Sequence, residues 1–94
     1  MSKQYEHLTE ADLARISFLV HAATQGPWKS HIEGRDHESG SDFIKTPISD
    51  IEMTNATVAD HDFIASARQD VPRLVLEVRA LRRILGPNAP EPAG

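Results

Sequence analysis

Three side chains near the first glycine-proline pair carry the clearest binding chemistry. Trp28 follows Gly26-Pro27 directly, so the chain turns and then presents an indole that can stack on a base or dock against a protein. Arg35 and His37 lie in the polar loop 34–41, where a guanidinium offers a fork of donors and glycines free backbone amides for a phosphate. These residue types together suggest a site for a small nucleotide-like anion.

Each of these residues also has an ordinary structural role. A tryptophan after a turn commonly fills the gap between a helix and a sheet, and a polar loop commonly joins two strands in solvent. The loop lacks the lysine and the following helix of a P-loop, and Asp36 and Glu38 within it would repel an anion. The sequence alone is compatible with both the ligand-binding role and the structural role of these residues.

Arg68 is the fourth candidate ligand-binding residue, on a short predicted helix that also carries Phe63 and Ile64. It can reach a ligand bound between subunits, or it can form a surface ion pair. The run Asp60-His61-Asp62 precedes it, but adjacent residues of a helix do not share a face and make a poor chelate. We therefore expect no metal site and no cofactor.

Catalytic motifs are not recognisable in the chain. It has no cysteine, which excludes thiolate nucleophiles, disulfides and the common structural zinc sites. It also has no nucleophile-elbow motif and no arrangement of histidine, serine and aspartate that the sequence alone can place together. We therefore expect a protein that works by binding rather than as an enzyme.

Size and charge narrow the range of partners. A chain of 94 residues corresponds to one domain with a thin core, which small proteins often supplement by oligomerisation. The net charge of −4 argues against strong nucleic-acid binding, which requires clustered positive charge. No apolar run approaches the length of a membrane span or a signal peptide, so we expect a cytoplasmic protein that does not bind a membrane.

An N-terminal helix is the first element that the pattern predicts. Thr9 and Asp12 have the spacing of a capping box, and Leu13, Ile16 and Val20 form an apolar stripe behind it. Glycine and proline at 26 and 27 end the pattern. The helix is predicted over residues 9–24.

A small antiparallel sheet of two or three strands should follow the helix. From Trp28 to Glu33 the inward and outward positions alternate with a period of two, and residues 43–46 read as a returning strand. A third short segment carries Ile48, Ile51 and Met53. So few strands must pack on a helix to be stable in water.

Two helices are predicted after the sheet, a short one and a long C-terminal one. Thr57 has capping spacing to Asp60, and Asp70-Val71-Pro72 marks a boundary or kink because proline lacks an N–H. Apolar residues of the last helix recur at alternating spacings of three and four, as in a coiled-coil seam. This seam predicts a homo-dimer or tetramer and consists of Val71, Leu74, Val78, Leu81 and Leu85.

The domain prediction follows from these elements. Residues 1–86 should form a single oligomeric α+β domain, whose last helix ends at Gly86-Pro87. Residues 87–94 contain only Pro, Asn, Ala, Glu and Gly, a composition that cannot bury an apolar face, so they are predicted to be a disordered tail.

Three stretches in this order resemble a known family. Residues 22–28 read AATQGPW, residues 60–68 read DHDFIASAR, and residues 71–82 read VPRLVLEVRALR. They are similar to segments of the Ead-like family of small phage and prophage accessory proteins, although Gln25 stands where that family usually has proline and Arg68-Gln69 where many members have Asn-Pro. The resemblance implies a non-enzymatic accessory role of a phage, often one that modulates the host and its defences.

Two functions agree with these observations. In the first, an oligomer sequesters a small anionic nucleotide-like signal of host defence, bound by Trp28, Arg35, His37 and Arg68 between subunits. In the second, the protein is an adaptor or inhibitor that binds a host or phage protein through its C-terminal helix. The family resemblance and the tryptophan, arginine and histidine residues favour the first.

Overall fold

The structure, a computed structural model, describes residues 7–38 and 40–85. In chain order these residues form helix α1 (Glu10–Ala22), strands β1 (Lys29–His31), β2 (Phe43–Lys45) and β3 (Asp50–Ile51), and helix α2 (Val58–Leu85). The predicted α+β fold is confirmed: an N-terminal helix, a three-stranded antiparallel sheet and a long C-terminal helix. The predicted disordered tail, residues 87–94, lies outside the described residues.

Both helices begin at the threonines that the sequence predicts. The amide of Thr9 donates to Asp12 Oδ2 at 2.9 Å, and the amide of Asp12 donates to Thr9 Oγ1 at 3.0 Å. Thr57 and Asp60 exchange the same pair of hydrogen bonds, each at 3.0 Å. These reciprocal bonds satisfy amides that a helix start leaves without an intrahelical partner, so both capping predictions are confirmed.

The sheet has the order β1-β2-β3 and turns one face toward α2. Ser30 lies opposite Ile44, and Ile44 lies opposite Ile51. Ser30 and Ile44 are buried, whereas their neighbours along the strands are exposed or half-buried. This alternation follows from the pleat, because successive side chains of a strand point to opposite faces.

The core is thin and lies where α2 packs against α1 and the sheet. Leu13 of α1 and Val75 of α2 are buried between the helices, and Ile44 and Ala65 are buried between the sheet and α2. Near the end of α2, Arg82 Nη2 donates to the carbonyl of Leu8 at 2.6 Å. This bond ties the last turns of α2 to the residues that precede α1.

The predicted boundary at Asp70-Val71-Pro72 is wrong, because α2 continues through Pro72 as one helix of 28 residues. A proline removes one backbone hydrogen bond and crowds the preceding turn, which disfavours a helix locally. Here the helix is held on both sides of the proline by packing on α1 and the sheet, and the ring of Pro72 lines the groove between the helices. Tertiary burial therefore outweighs the local preference.

Replacing Pro72 by alanine is expected to stabilise the protein. Proline in a helix interior is about 3 kcal/mol less favourable than alanine, and losing its half-buried ring offsets only part of this. We expect a net gain of about 1 kcal/mol, which raises the melting temperature by about 5 °C for a domain of this size. Calorimetry of the wild type and the variant at one fixed protein concentration measures this change in melting temperature. A fall in melting temperature would contradict the prediction.

Candidate functional site

A polar concavity of about 330 Å³ opens at the surface between β1 and α2. It brings together an indole, a guanidinium, a carboxylate and two hydroxyl groups from three separate parts of the chain. The residues that line it are Trp28, Lys29, Ser30, Arg35, Asp62, Ala65 and Ser66. Of the four predicted ligand-binding residues, Trp28 and Arg35 line this concavity.

The loop after β1 positions Arg35. Asp36 Oδ2 accepts a hydrogen bond from the amide of Ile32 at 2.9 Å, and the amide of Asp36 donates to the carbonyl of Ile32 at 2.7 Å. Gly34 has a φ of +86°, a conformation that glycine adopts without a steric penalty. This tight turn directs the Arg35 side chain back across the concavity toward α2.

Two carboxylates already bind the guanidinium of Arg35. Its Nη1 and Nη2 donate to the two carboxylate oxygens of Asp62 at 3.0 Å each, and its Nε donates to Asp36 Oδ2 at 3.0 Å. The hydrogen bonds from Arg35 lower the pKa of Asp62 to about 2, with a further contribution from the Ser30 hydroxyl. They also lower the pKa of Asp36 and raise the pKa of Arg35. An anion that binds Arg35 must therefore exchange with Asp62.

Gln69 fixes the backbone at the tryptophan. The amide of Trp28 donates to Gln69 Oε1 at 2.7 Å, and Gln69 Nε2 donates to the carbonyl of Trp28 at 3.3 Å. The peptide bond before Pro27 is cis, and a β-carbon at Gly26 would lie 3.3 Å from Gln69 Oε1. Nothing in the local sequence indicates this role of Gln69, since its partner is 41 positions away in the chain.

Arg68 lies behind Trp28 rather than in the concavity. Its Nε donates to the carbonyl of Thr24 at 2.8 Å, and the Trp28 indole donates to the same carbonyl at 3.1 Å. The guanidinium carbon is 5.9 Å from the centre of the Trp28 ring, within the range of a cation–π contact. Arg68 therefore orients the indole and the turn after α1.

His37 is on the other side of the sheet. Its ring centre is 5.1 Å from that of Phe43 and 6.2 Å from that of His31. Since Ser30 and Ile44 face α2, the neighbouring residues His31 and Phe43 face away from α2. The structure therefore divides the predicted set: two residues line the concavity, Arg68 supports Trp28, and His37 joins an aromatic cluster elsewhere.

The predicted oligomer interface is partly covered by α1 and partly open. Val71 and Val78 are half-buried and line an apolar groove between α1 and α2 that Leu74 also borders. Leu74, Leu81 and Leu85 are exposed on the surface of α2. We call these five residues the seam face. Its exposed leucines are apolar area that the rest of residues 7–38 and 40–85 does not cover.

Two further findings concern the described residues as a set. They include no group of three or more histidine, aspartate or glutamate side chains placed to hold a metal ion. Neither α1 nor α2 combines the length and the apolar character that crossing a bilayer requires.

Comparisons with known proteins leave the resemblance to the Ead-like family as a prediction. No family model, no curated protein and no solved structure matches this chain.

Proposed function

We propose that this protein is a non-enzymatic binding protein that acts as a homo-oligomer and captures a small nucleotide-like anion in the concavity between β1 and α2. The observation that carries the proposal is the meeting of Trp28 with Arg35 at one open surface, beside the hydroxyls of Ser30 and Ser66. An indole offers a stacking platform for a base, and the guanidinium of Arg35 offers a fork of donors for a phosphate. The volume of about 330 Å³ falls within the range of small-molecule sites.

The phosphate of the ligand would take the place of Asp62 on Arg35. Asp62 accepts two parallel hydrogen bonds from the guanidinium, which is also how arginine binds a phosphate. Both side chains are about half exposed, and exposed ion pairs contribute little to stability because water competes for them. Exchanging Asp62 for a phosphate on Arg35 therefore costs little free energy.

Oligomerisation fits this function because the concavity of one chain is shallow and open. A second copy that covers the seam face buries the exposed leucines and supplies apolar burial that a chain of 94 residues otherwise lacks. A neighbouring subunit can also close the mouth of the concavity and slow release of the ligand. Capture without turnover requires such slow release rather than a catalytic group.

The biological role rests on the family resemblance. A small phage accessory protein that sequesters a nucleotide signal would lower its free concentration in the host cytoplasm and so counter host defence. Sequestration requires high affinity for the nucleotide, slow dissociation of the complex and enough copies of the protein to outnumber the signal. A small binding domain can meet all three requirements.

Trp28 is the only tryptophan, so its fluorescence reports directly on the concavity. We expect AMP, ATP or cyclic di-AMP to quench it in a saturable titration. Arg35→Ala should weaken the binding at least about tenfold, since a hydrogen bond to a charged group is worth roughly 1.5–3 kcal/mol. Asp62→Asn should tighten it, because the competing negative charge is removed.

Arg73→Ala is the matched control for Arg35→Ala. Arg73 also forms an exposed ion pair with an aspartate, Asp70, but lies outside the concavity. The Arg73→Ala variant should therefore bind nucleotides with the same affinity as the wild type. If no nucleotide quenches Trp28, or if Arg35→Ala binds as tightly as Arg73→Ala, the capture proposal is wrong.

A second candidate function is an adaptor that binds a host or phage protein through the seam face. The exposed leucines of α2 favour it, because exposed apolar patches mark interaction surfaces. If the protein is such an adaptor, it should be a monomer in solution. Substitutions in the seam face should then weaken binding of the partner protein, whereas substitutions of Arg35 should leave that binding unchanged.

A further inference from the structure

The outer face of the sheet, turned away from α2, displays a compact set of polar and aromatic side chains. Lys29 lies directly opposite Lys45, and His31 lies directly opposite Phe43. Their neighbours Ser30 and Ile44 are buried toward α2, so the pleat places the two lysines, His31 and Phe43 together on the opposite face. No helix among the described residues covers that face.

Three aromatic rings form a cluster at one end of this face. The rings of His31 and Phe43 are stacked, with centres 5.2 Å apart and planes inclined by 12°. The ring of His37 packs against both, 5.1 Å from Phe43 and 6.2 Å from His31. All three side chains are half-buried, so the cluster keeps accessible ring surface on which a planar group can stack.

The two lysines at the other end repel each other. Like charges directly opposite each other in an antiparallel pair are destabilising, and within the described residues neither ammonium has a carboxylate within ion-pair distance. Asp50 lies opposite Lys45 on β3, and the pKa of Asp36, lowered chiefly by its hydrogen bond from Arg35, is lowered slightly further by the charge of Lys29. An anion between the lysines would relieve their repulsion.

We propose that this face is a second ligand site, which binds one nucleoside monophosphate with its phosphate between Lys29 and Lys45 and its base against the ring cluster. The lysine pair and the His31–Phe43 pair are two positions apart along the strands, about 7 Å. A nucleotide carries its phosphate and its base on opposite sides of one sugar, which suits this separation. The site is distinct from the β1–α2 concavity, although Lys29 borders both.

The charges favour a single nucleotide over a nucleic-acid strand. The face has two lysines, with Asp50 opposite Lys45 and Glu33 paired with His37 beside the ring cluster, on a chain with net charge −4. A strand has one phosphate per nucleotide and requires a continuous basic groove. Beyond its first phosphate it would meet the acidic surface of this protein.

The test is an NMR titration of the full-length protein with AMP, followed through its backbone amides. We expect saturable shifts of the signals of residues 29–31 and 43–45, with a Kd of about 1 mM or lower. Lys45→Gln should raise this Kd about tenfold or more, since it removes a charge-assisted contact. Phe43→Leu keeps an apolar side chain but removes an aromatic ring. It should weaken the binding of AMP and leave the binding of inorganic phosphate, which has no base, unchanged.

Arg73→Gln is the matched loss of one exposed positive charge, on α2, and should leave the Kd unchanged. Arg35→Ala separates the two sites: it should weaken the binding that quenches Trp28 at least about tenfold but leave the Kd from the sheet-face shifts unchanged. Absence of shifts at 29–31 and 43–45, or an unchanged Kd for Lys45→Gln, would overturn the proposal. A single strand of ten thymidine nucleotides that binds more than about tenfold tighter than AMP would also overturn it, because the occupant would then be a strand.

Discussion

Replacing Leu74 and Leu81 together by aspartate is expected to convert an oligomer into a monomer. Both leucines are at least half exposed on α2, at 62% and 50%, so the single chain loses little packing. In an oligomer joined through the seam face, the substitutions would place charges in an apolar interface without partners. We expect the dissociation constant to rise at least about a hundredfold, roughly 3 kcal/mol.

Sedimentation of the wild type and the variant at tens of micromolar measures this effect. The matched control replaces Leu76 and Ile84 by aspartate, two residues of the same helix that are off the seam and exposed by 67% and 78%. The control should sediment like the wild type. A wild type that is monomeric, or a control that dissociates while the seam variant does not, would rule out association through the seam face.

Ile44→Ala should cause the largest loss of stability among single apolar substitutions in the sheet. Ile44 is fully buried, at 0% exposure, between Ser30 and Ile51 on the face that packs on α2. Truncating such a side chain costs about 2–5 kcal/mol, because apolar burial is lost and a cavity remains. A domain this small has only about 5–14 kcal/mol of stability in total, so we expect the melting temperature to fall by at least about 10 °C.

Ile48→Ala is the control for this substitution. Ile48 lies four residues further along the chain but is 79% exposed, and exposed substitutions usually change stability by less than about 0.5 kcal/mol. Both variants are compared by thermal unfolding at the same protein concentration, since association raises apparent stability by mass action. Equal losses for the two variants would show that Ile44 does not lie in the core.

The starts of both helices were predictable because local interactions determine them. A threonine and an aspartate three positions apart satisfy each other's amides whatever the rest of the chain does, and both such pairs begin helices here. The alternation around Ser30 likewise predicts which strand residues face inward, since the pleat has a fixed period of two. Pro72 shows the limit of local rules, because packing on α1 and the sheet keeps α2 continuous through it.

The candidate site was only partly predictable because its members meet through tertiary contacts. Residue types alone indicated Trp28 and Arg35, and both line the concavity. Nothing local indicates that Asp62, 27 positions away, holds Arg35, or that Gln69, 41 positions away, holds Trp28. His37 follows Arg35 by two residues yet lies across the sheet from the concavity, because the turn after β1 sends the two side chains to opposite sides.

By itself the sequence determined the α+β class, the helix caps, the inward face of the first strand and the apolar pattern of α2. All of these depend on interactions within a few residues or on the period of one element. Only the tertiary structure decided that α2 is one helix, that Asp62 neutralises Arg35, and that two lysines meet beside stacked rings. The physical reason is that these contacts form between elements, whose relative placement is decided by burial of the whole core and not by local preference.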